Sequence, residues 1–186
     1  MSLFPKLSPG WLNGWLLLAI YGIVFGAVVK SFPQEVVDRL YDKSHWTERQ
    51  RRLTLVGKVL ASILFVLIAF SPLRIGQPIF IIGIALFALG LIGVVVALFN
   101  FKAAPPGQPA TTGLYKVSRN PQWVMLVVMF TGACLAIGSW AALLLLALAA
   151  ICYHVRIRAE ERSCLQHYGD DFRAYMERVP RYFVFF

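Results

Sequence analysis

Apolar stretches and polar breaks alternate along the chain at a spacing that predicts helices. Crossing a hydrocarbon layer of about 30 Å takes about 20 helical residues, because backbone groups left unpaired in lipid are too costly. Five segments meet that requirement, at about residues 11–30, 53–70, 79–101, 122–137 and 140–155, the last two barely. Those two are divided only by Gly138, Ser139 and Trp140, which predicts a helical hairpin whose arms need not each cross fully. In the first segment Trp11 and Trp15 suit an interface, and Gly10, Gly14, Gly22 and Gly26 recur at multiples of four. That shared face predicts close approach of another helix.

The polar breaks predict structure of their own. Residues 31–52 carry Val36, Val37, Leu40 and Tyr41 at helical spacing, with Ser31 as a cap and Pro33 near the first turn. This reads as a short amphipathic helix on the membrane surface. Arg49, Arg51 and Arg52 precede the second span, where Lys58 lies close enough to the same interface to snorkel. Pro72, Gly76 and Pro78 predict a tight turn that makes the second and third spans an antiparallel hairpin. Between residues 102 and 121, Pro105, Pro106, Gly107, Pro109 and Gly113 exclude a continuous helix and predict a shaped loop. Residues 156–179 are helical by pattern and stop at Pro180. The aromatic tail beyond is expected at the lipid interface, and His45 on a solvated loop.

Composition turns these helices into a class. Hydrophobic residues make up 59% of the 186, charged residues 15%, and the mean hydropathy is +0.67. That predicts an all-α polytopic integral membrane protein, with residues 1–186 forming one membrane-embedded domain. The net charge of +9 sits beside apolar segments and forms no basic patch for nucleic acid. Six Lys and Arg lie in residues 30–52, three in 102–121 and six in the C-terminal segment, against Lys6 and Arg74 on the other side. The positive-inside rule therefore predicts an outside N-terminus and a cytoplasmic C-terminus, in a bacterial inner membrane or the endoplasmic reticulum. The first ten residues do not read as the start of a cleavable signal. Cys134, Cys152 and Cys164 supply neither a disulfide framework nor a paired zinc motif. A metal site of Cys152, His154, Cys164 and His167 is disfavoured, because Cys152 and His154 point to different sides of a helix.

Two polar elements share the predicted cytoplasmic face, residues 111–123 and 156–168. The first offers Gly113 for a turn, Tyr115 as an aromatic platform, Arg119 for an anionic group, and Asn120 before Pro121 at a helix start suited to a carboxylate or phosphate. In the second, Glu160 and Glu161 lie about 100° apart around a helix, so one can face a pocket while the other braces an arginine. Arg156 is one turn before Glu160 and placed to pair with it. Arg158 and Arg162 need no more than topology to explain them.

The order Gly113, Tyr115, Arg119 and Pro121, then Arg156, Glu160 and Glu161 after a helical hairpin, then Y-G-D-D-F-R-A-Y from Tyr168 and Val179 with Pro180, resembles a known family. It is that of the isoprenylcysteine carboxyl methyltransferases and their relatives, the membrane phospholipid methyltransferases. The resemblance covers roughly the C-terminal 75 residues and the general helix layout. It implies methyl transfer from S-adenosylmethionine to a lipophilic acceptor arriving from the bilayer: an isoprenylcysteine-like carboxylate, a lipid amine or a thiol. Tyr115, Arg119, Asn120, Pro121, Trp123, Glu160, Glu161 and Tyr168 are the implied cofactor residues. For an acceptor that must lose a proton, Glu161 is the first candidate base and His167 the second, with Arg156 as the accompanying catalytic group.

This chain departs from the family pattern at two positions. Asn120 replaces a usual His and cannot titrate near neutral pH, and Trp123 replaces a usual Tyr, keeping the ring without the hydroxyl. Cofactor binding tolerates both changes better than acid–base catalysis does. A second likeness runs to membrane sterol reductases, through Cys164, H-Y-G-D-D-F and Val179-Pro180, and would imply NADPH. The chain lacks their His-x-Asn-Tyr. A third reading is a non-catalytic membrane relative.

Overall fold

The computed structural model describes residues 1–41, 47–105 and 107–183. His45 and the aromatic end at 184–186 lie outside the described residues. Six α-helices carry the described chain: α1 Trp15–Lys30, α2 Gln34–Tyr41, α3 Glu48–Ala69, α4 Pro78–Lys102, α5 Pro121–Ala136 and α6 Trp140–Arg178. A 3-10 turn at Gly113–Lys116 interrupts the loop between α4 and α5. No strand occurs among the described residues, so the all-helical expectation holds. Three helices are long and apolar enough to cross a membrane, in Gln50–Ala69, Pro78–Lys102 and Trp140–Arg178, while α1 and α5 are shorter apolar helices. Their outward faces show Ile23, Val59, Ile81, Ile92, Leu144 and Ile151, as expected of surfaces solvated by lipid.

Local chemistry moves several predicted boundaries. α1 starts at Trp15 because residues 12–14 are drawn into backbone hydrogen bonds with the following turn: Gly14 N–H donates to Ser71 at 3.0 Å, and Leu73 N–H to Leu12 at 3.0 Å. Ser31 closes α1 as its C-cap instead of opening α2, its hydroxyl donating to the Val28 carbonyl. α3 begins at Glu48, five residues earlier than its apolar run, because Thr47 and Gln50 form a reciprocal capping box. The largest departure is at the C-terminus. The predicted span 140–155, capped by Ser139, runs on unbroken into the predicted cytoplasmic helix as far as Tyr168, and Gly169 (φ 56°, ψ −129°) kinks the chain before the last part of α6. No Gly or Pro stands between Trp140 and Tyr168, so nothing breaks it where the charges begin. Its unbroken part, residues 140–168, is about 43 Å long, outruns the hydrocarbon and carries Glu160 and Glu161 on the same rigid rod as the membrane segment.

The tightest helix pairs are α4 with α5 and α3 with α6. α3 and α4 therefore follow each other without forming the closely packed hairpin expected from their turn. Glycine sets the α4–α5 contact. A Cβ at Gly83 would meet the Ala136 backbone, one at Gly90 the Met129 backbone, and one at Gly132 the Phe87 backbone nitrogen. In α1 only the first part of the predicted glycine face is used: Gly14 lies against Ile68, whereas Gly22 and Gly26 meet nothing within 4 Å.

The two ends of the bundle differ. At one, Ser2 N–H donates to Gly138 and Trp140 N–H to Ser2, while Arg74 N–H donates to Ala136, tying the N-terminal segment to both turns. At the other end α2, the α4–α5 loop and the projecting part of α6 converge.

Candidate functional site

Gly113 begins the construction of that second end. Its positive φ of 59° and lack of a Cβ bring the chain over Asn100, whose side-chain oxygen accepts from Leu114 N–H at 2.9 Å. The resulting 3-10 turn buries Tyr115, whose hydroxyl accepts from Gln122 Nε2 at 3.0 Å. The Tyr115 carbonyl in turn accepts from the Tyr175 hydroxyl at 2.7 Å, locking the loop onto the far part of α6. Burial pushes the Tyr115 and Tyr175 phenols well above their ordinary range, so both stay neutral.

Next along the loop is a buried charge clamp. Glu161 is held between two guanidinium groups: Arg119 Nε at 3.1 Å from Oε1, and Arg181 Nη2 at 2.8 Å from Oε2. Asn120 Nδ2 donates to the same Oε1 at 3.1 Å. Arg119 also donates through Nη1 to the Met176 carbonyl at 2.7 Å, and its backbone N–H to Pro180 at 2.9 Å. With side-chain exposures of 4% for Arg119 and 6% for Glu161, the two charges offset each other's desolvation. Ser118 completes the strap by donating to the Arg181 carbonyl. Arg119, expected to meet an external anion, is thus turned to Glu161 and the end of α6. Glu161, expected as a base, has both oxygens engaged by three side chains, those of Arg119, Asn120 and Arg181. Asn120 keeps the donor that this geometry needs.

Glu160 is different. It pairs with Arg156 at 2.7 Å, as the one-turn spacing predicts, and its side chain is 37% exposed. Trp123 stacks at a tilt on Tyr153, with ring centroids 4.7 Å apart, and Pro121 is buried at the first turn of α5. Tyr168 lies beside Phe172, its phenol raised by burial.

Tyr115, Arg119, Asn120, Trp123, Arg156, Glu160, Glu161 and Tyr168 all line one cavity of about 880 Å³. Pro121 does not. The cavity continues from this polar end down between the helices, past Tyr21, Phe25, Leu64, Phe65 and Phe130. Several lining residues carry no site signal in the sequence, among them Asp38 and Arg39 of α2 and Gln122. Arg181, counted in the sequence only as a topological charge, is a member of the clamp.

Residues 78–171 match the family described as phospholipid methyltransferase. The chain belongs to that family. The matched region runs from the start of α4 to the kinked part of α6, and so contains Tyr115, the Asn120 turn, Trp123 and the Glu160–Glu161 pair, while α1 to α3 and Arg181 lie outside it. No curated protein matches the chain. As a member of the phospholipid methyltransferase family with three long apolar helices, it is a membrane protein of a methyltransferase family.

Proposed function

We propose that the protein transfers a methyl group from S-adenosylmethionine to a lipophilic acceptor drawn from the bilayer, its 186 residues acting as one membrane-embedded unit. What carries this reading is the continuity of the cavity, which joins a polar, arginine-rich end to an apolar passage between α1, α3, α5 and α6. A polar cofactor and an oily acceptor have suitable surroundings at its two ends. By the charge asymmetry of the loops, the polar end faces the cytoplasm and the N-terminus lies outside.

The donor set fits the cofactor. The Trp123 and Tyr153 rings, stacked at a tilt, supply aromatic surface for a purine, and Glu160 suits a ribose diol or an α-ammonium group. When bound, S-adenosylmethionine supplies a methyl group on an electron-poor sulfonium. The chain's own contribution is to hold that methyl in line with the acceptor and to exclude water, which together lower the barrier without covalent help. A carboxylate acceptor needs no base. For an amine or thiol, Glu160 is the group with a free face toward the cavity, and Arg156 fixes its carboxylate. Glu161 is a positioning residue that keeps the Asn120 turn and the C-terminal strap in register.

Purified protein in lipid nanodiscs, titrated with S-adenosylmethionine and separately with NADPH, tests this reading. Saturable binding of the first, with label passing to an extractable lipid, is expected. Binding of NADPH alone would overturn it.

A further inference from the structure

Charge accounting around the cavity singles out Arg39. Three arginines line it: Arg119 is paired with Glu161, Arg156 with Glu160, and Arg39 has no carboxylate partner among the described residues. Arg39 belongs to α2, outside the family-matched region, and α2 is seated through Val36, Val37 and Leu40 on Phe32, Val94 and Leu98. That seat fixes where the arginine points. Its guanidinium donates from Nη2 to the Phe101 carbonyl at 2.8 Å and from Nη1 to the Pro105 carbonyl at 3.5 Å, and lies 4.5 Å over the Phe101 ring. Its Nε is buried without a hydrogen-bond partner among the described residues. Two carbonyls and a ring face carry no formal negative charge to balance it, and a buried guanidinium N–H without an acceptor is costly. Arg39 lines the cavity together with Tyr115 and Tyr168, at its polar end. Asp38, its neighbour in the cavity lining, is turned to Gln34, whose Nε2 donates to it at 2.8 Å.

We propose that Arg39 is the oxyanion-binding residue of the cavity, receiving the carboxylate or phosphate of a bound ligand on its buried edge. It takes the role that the sequence suggested for Arg119, which the clamp with Glu161 occupies. A planar guanidinium matches two oxygens of such a group at once, whereas a lysine would offer a single point charge. The inference rests on the functional reading above and deepens it, since the anion belongs either to the cofactor or to the acceptor.

Wild type, Arg39→Gln and Arg39→Lys in nanodiscs would be titrated with four probes: S-adenosylmethionine, its decarboxylated analogue, a short-chain phosphatidylethanolamine, and an alkylamine of equal chain length without phosphate. If the cofactor carboxylate is the ligand, Arg39→Gln weakens S-adenosylmethionine about tenfold and leaves the decarboxylated analogue unchanged. If the acceptor phosphate is the ligand, the same split appears between the lipid and the alkylamine. Lysine gives a partial loss in either case. Equal losses for all four probes would mean that Arg39 merely caps the carboxyl end of α4, and no loss would mean that it binds nothing; either overturns the assignment. Wild type that binds the lipid and not S-adenosylmethionine removes the cofactor reading while the lipid pair of probes still decides the role of Arg39.

Discussion

Glu161 Oε1 lies 3.1 Å from Arg119 Nε across 42 positions of sequence, with both side chains nearly sealed from solvent. Breaking such a pair from one side leaves a buried charge uncompensated, at a cost of about 3–5 kcal/mol. Glu161→Gln is therefore expected to lower thermal stability sharply in detergent and to expose the strap around Arg181 to protease. Glu160→Gln, whose pair with Arg156 is partly exposed, should shift stability by well under about 1 kcal/mol and still suppress methyl transfer to an amine acceptor. Unfolding midpoints measured beside turnover separate the two. A stable Glu161→Gln protein together with a fully active Glu160→Gln protein would reverse the roles assigned to this pair.

The glycines of α4 and α5 support a prediction of a different kind. A methyl at Gly90 or Gly132 has backbone of the facing helix in its way, which cannot yield as a flexible side chain would. Gly90→Ala and Gly132→Ala should each destabilise by about 1–3 kcal/mol, the range of an overpacked core. Gly22→Ala and Gly26→Ala meet open space and should be neutral, or gain up to about 1 kcal/mol from helix propensity. Chemical unfolding of the four variants in one detergent provides the comparison. Equal behaviour of Gly26→Ala and Gly90→Ala would show that close approach is not what the α4 glycines are for.

The contrast between those glycines also shows where the sequence is legible. Apolar runs mark α1, α3, α4, α5 and the start of α6 to within about five residues, because burial in lipid demands length and leaves little freedom. Spacing alone picks out the Arg156–Glu160 pair, one turn apart on one helix. Partners from different elements leave no such trace. Gly14 to Gly26 look like a contact face in α1, yet the pattern cannot say that α5 takes Gly83 and Gly90 of the next long helix but one. Arg119 and Glu161 are each visible as site residues; that they bind one another follows from the strap at Val179 and Pro180 folding back over the loop. Arg39 has the least signal. Its helix is short and amphipathic, and only the three-dimensional seat of α2 on α4 brings that one charge to the cavity.

Cys164 provides a pH test that reports on the polar end directly. It lines the cavity, and burial, followed by the nearby Glu160 and Glu161 charges, pushes its thiol up to about 11. Only the thiolate reacts with alkylating agents, so at pH 8 the reactive fraction is smaller than that of an ordinary cysteine by about a hundredfold. A raised value favours the protonated form, so labelling should increase about tenfold per pH unit from 7 to 10 without levelling off near 9. Glu160→Gln removes one of the charges that opposes the thiolate and should raise the rate at fixed pH. Occupation of the cavity by S-adenosylmethionine should lower it by shielding the sulfur. Site-resolved mass spectrometry distinguishes Cys164 from Cys152 and Cys134. A plateau near pH 9 would place Cys164 in a wetter environment than the cavity described here, and with it the water-excluding character on which methyl transfer depends.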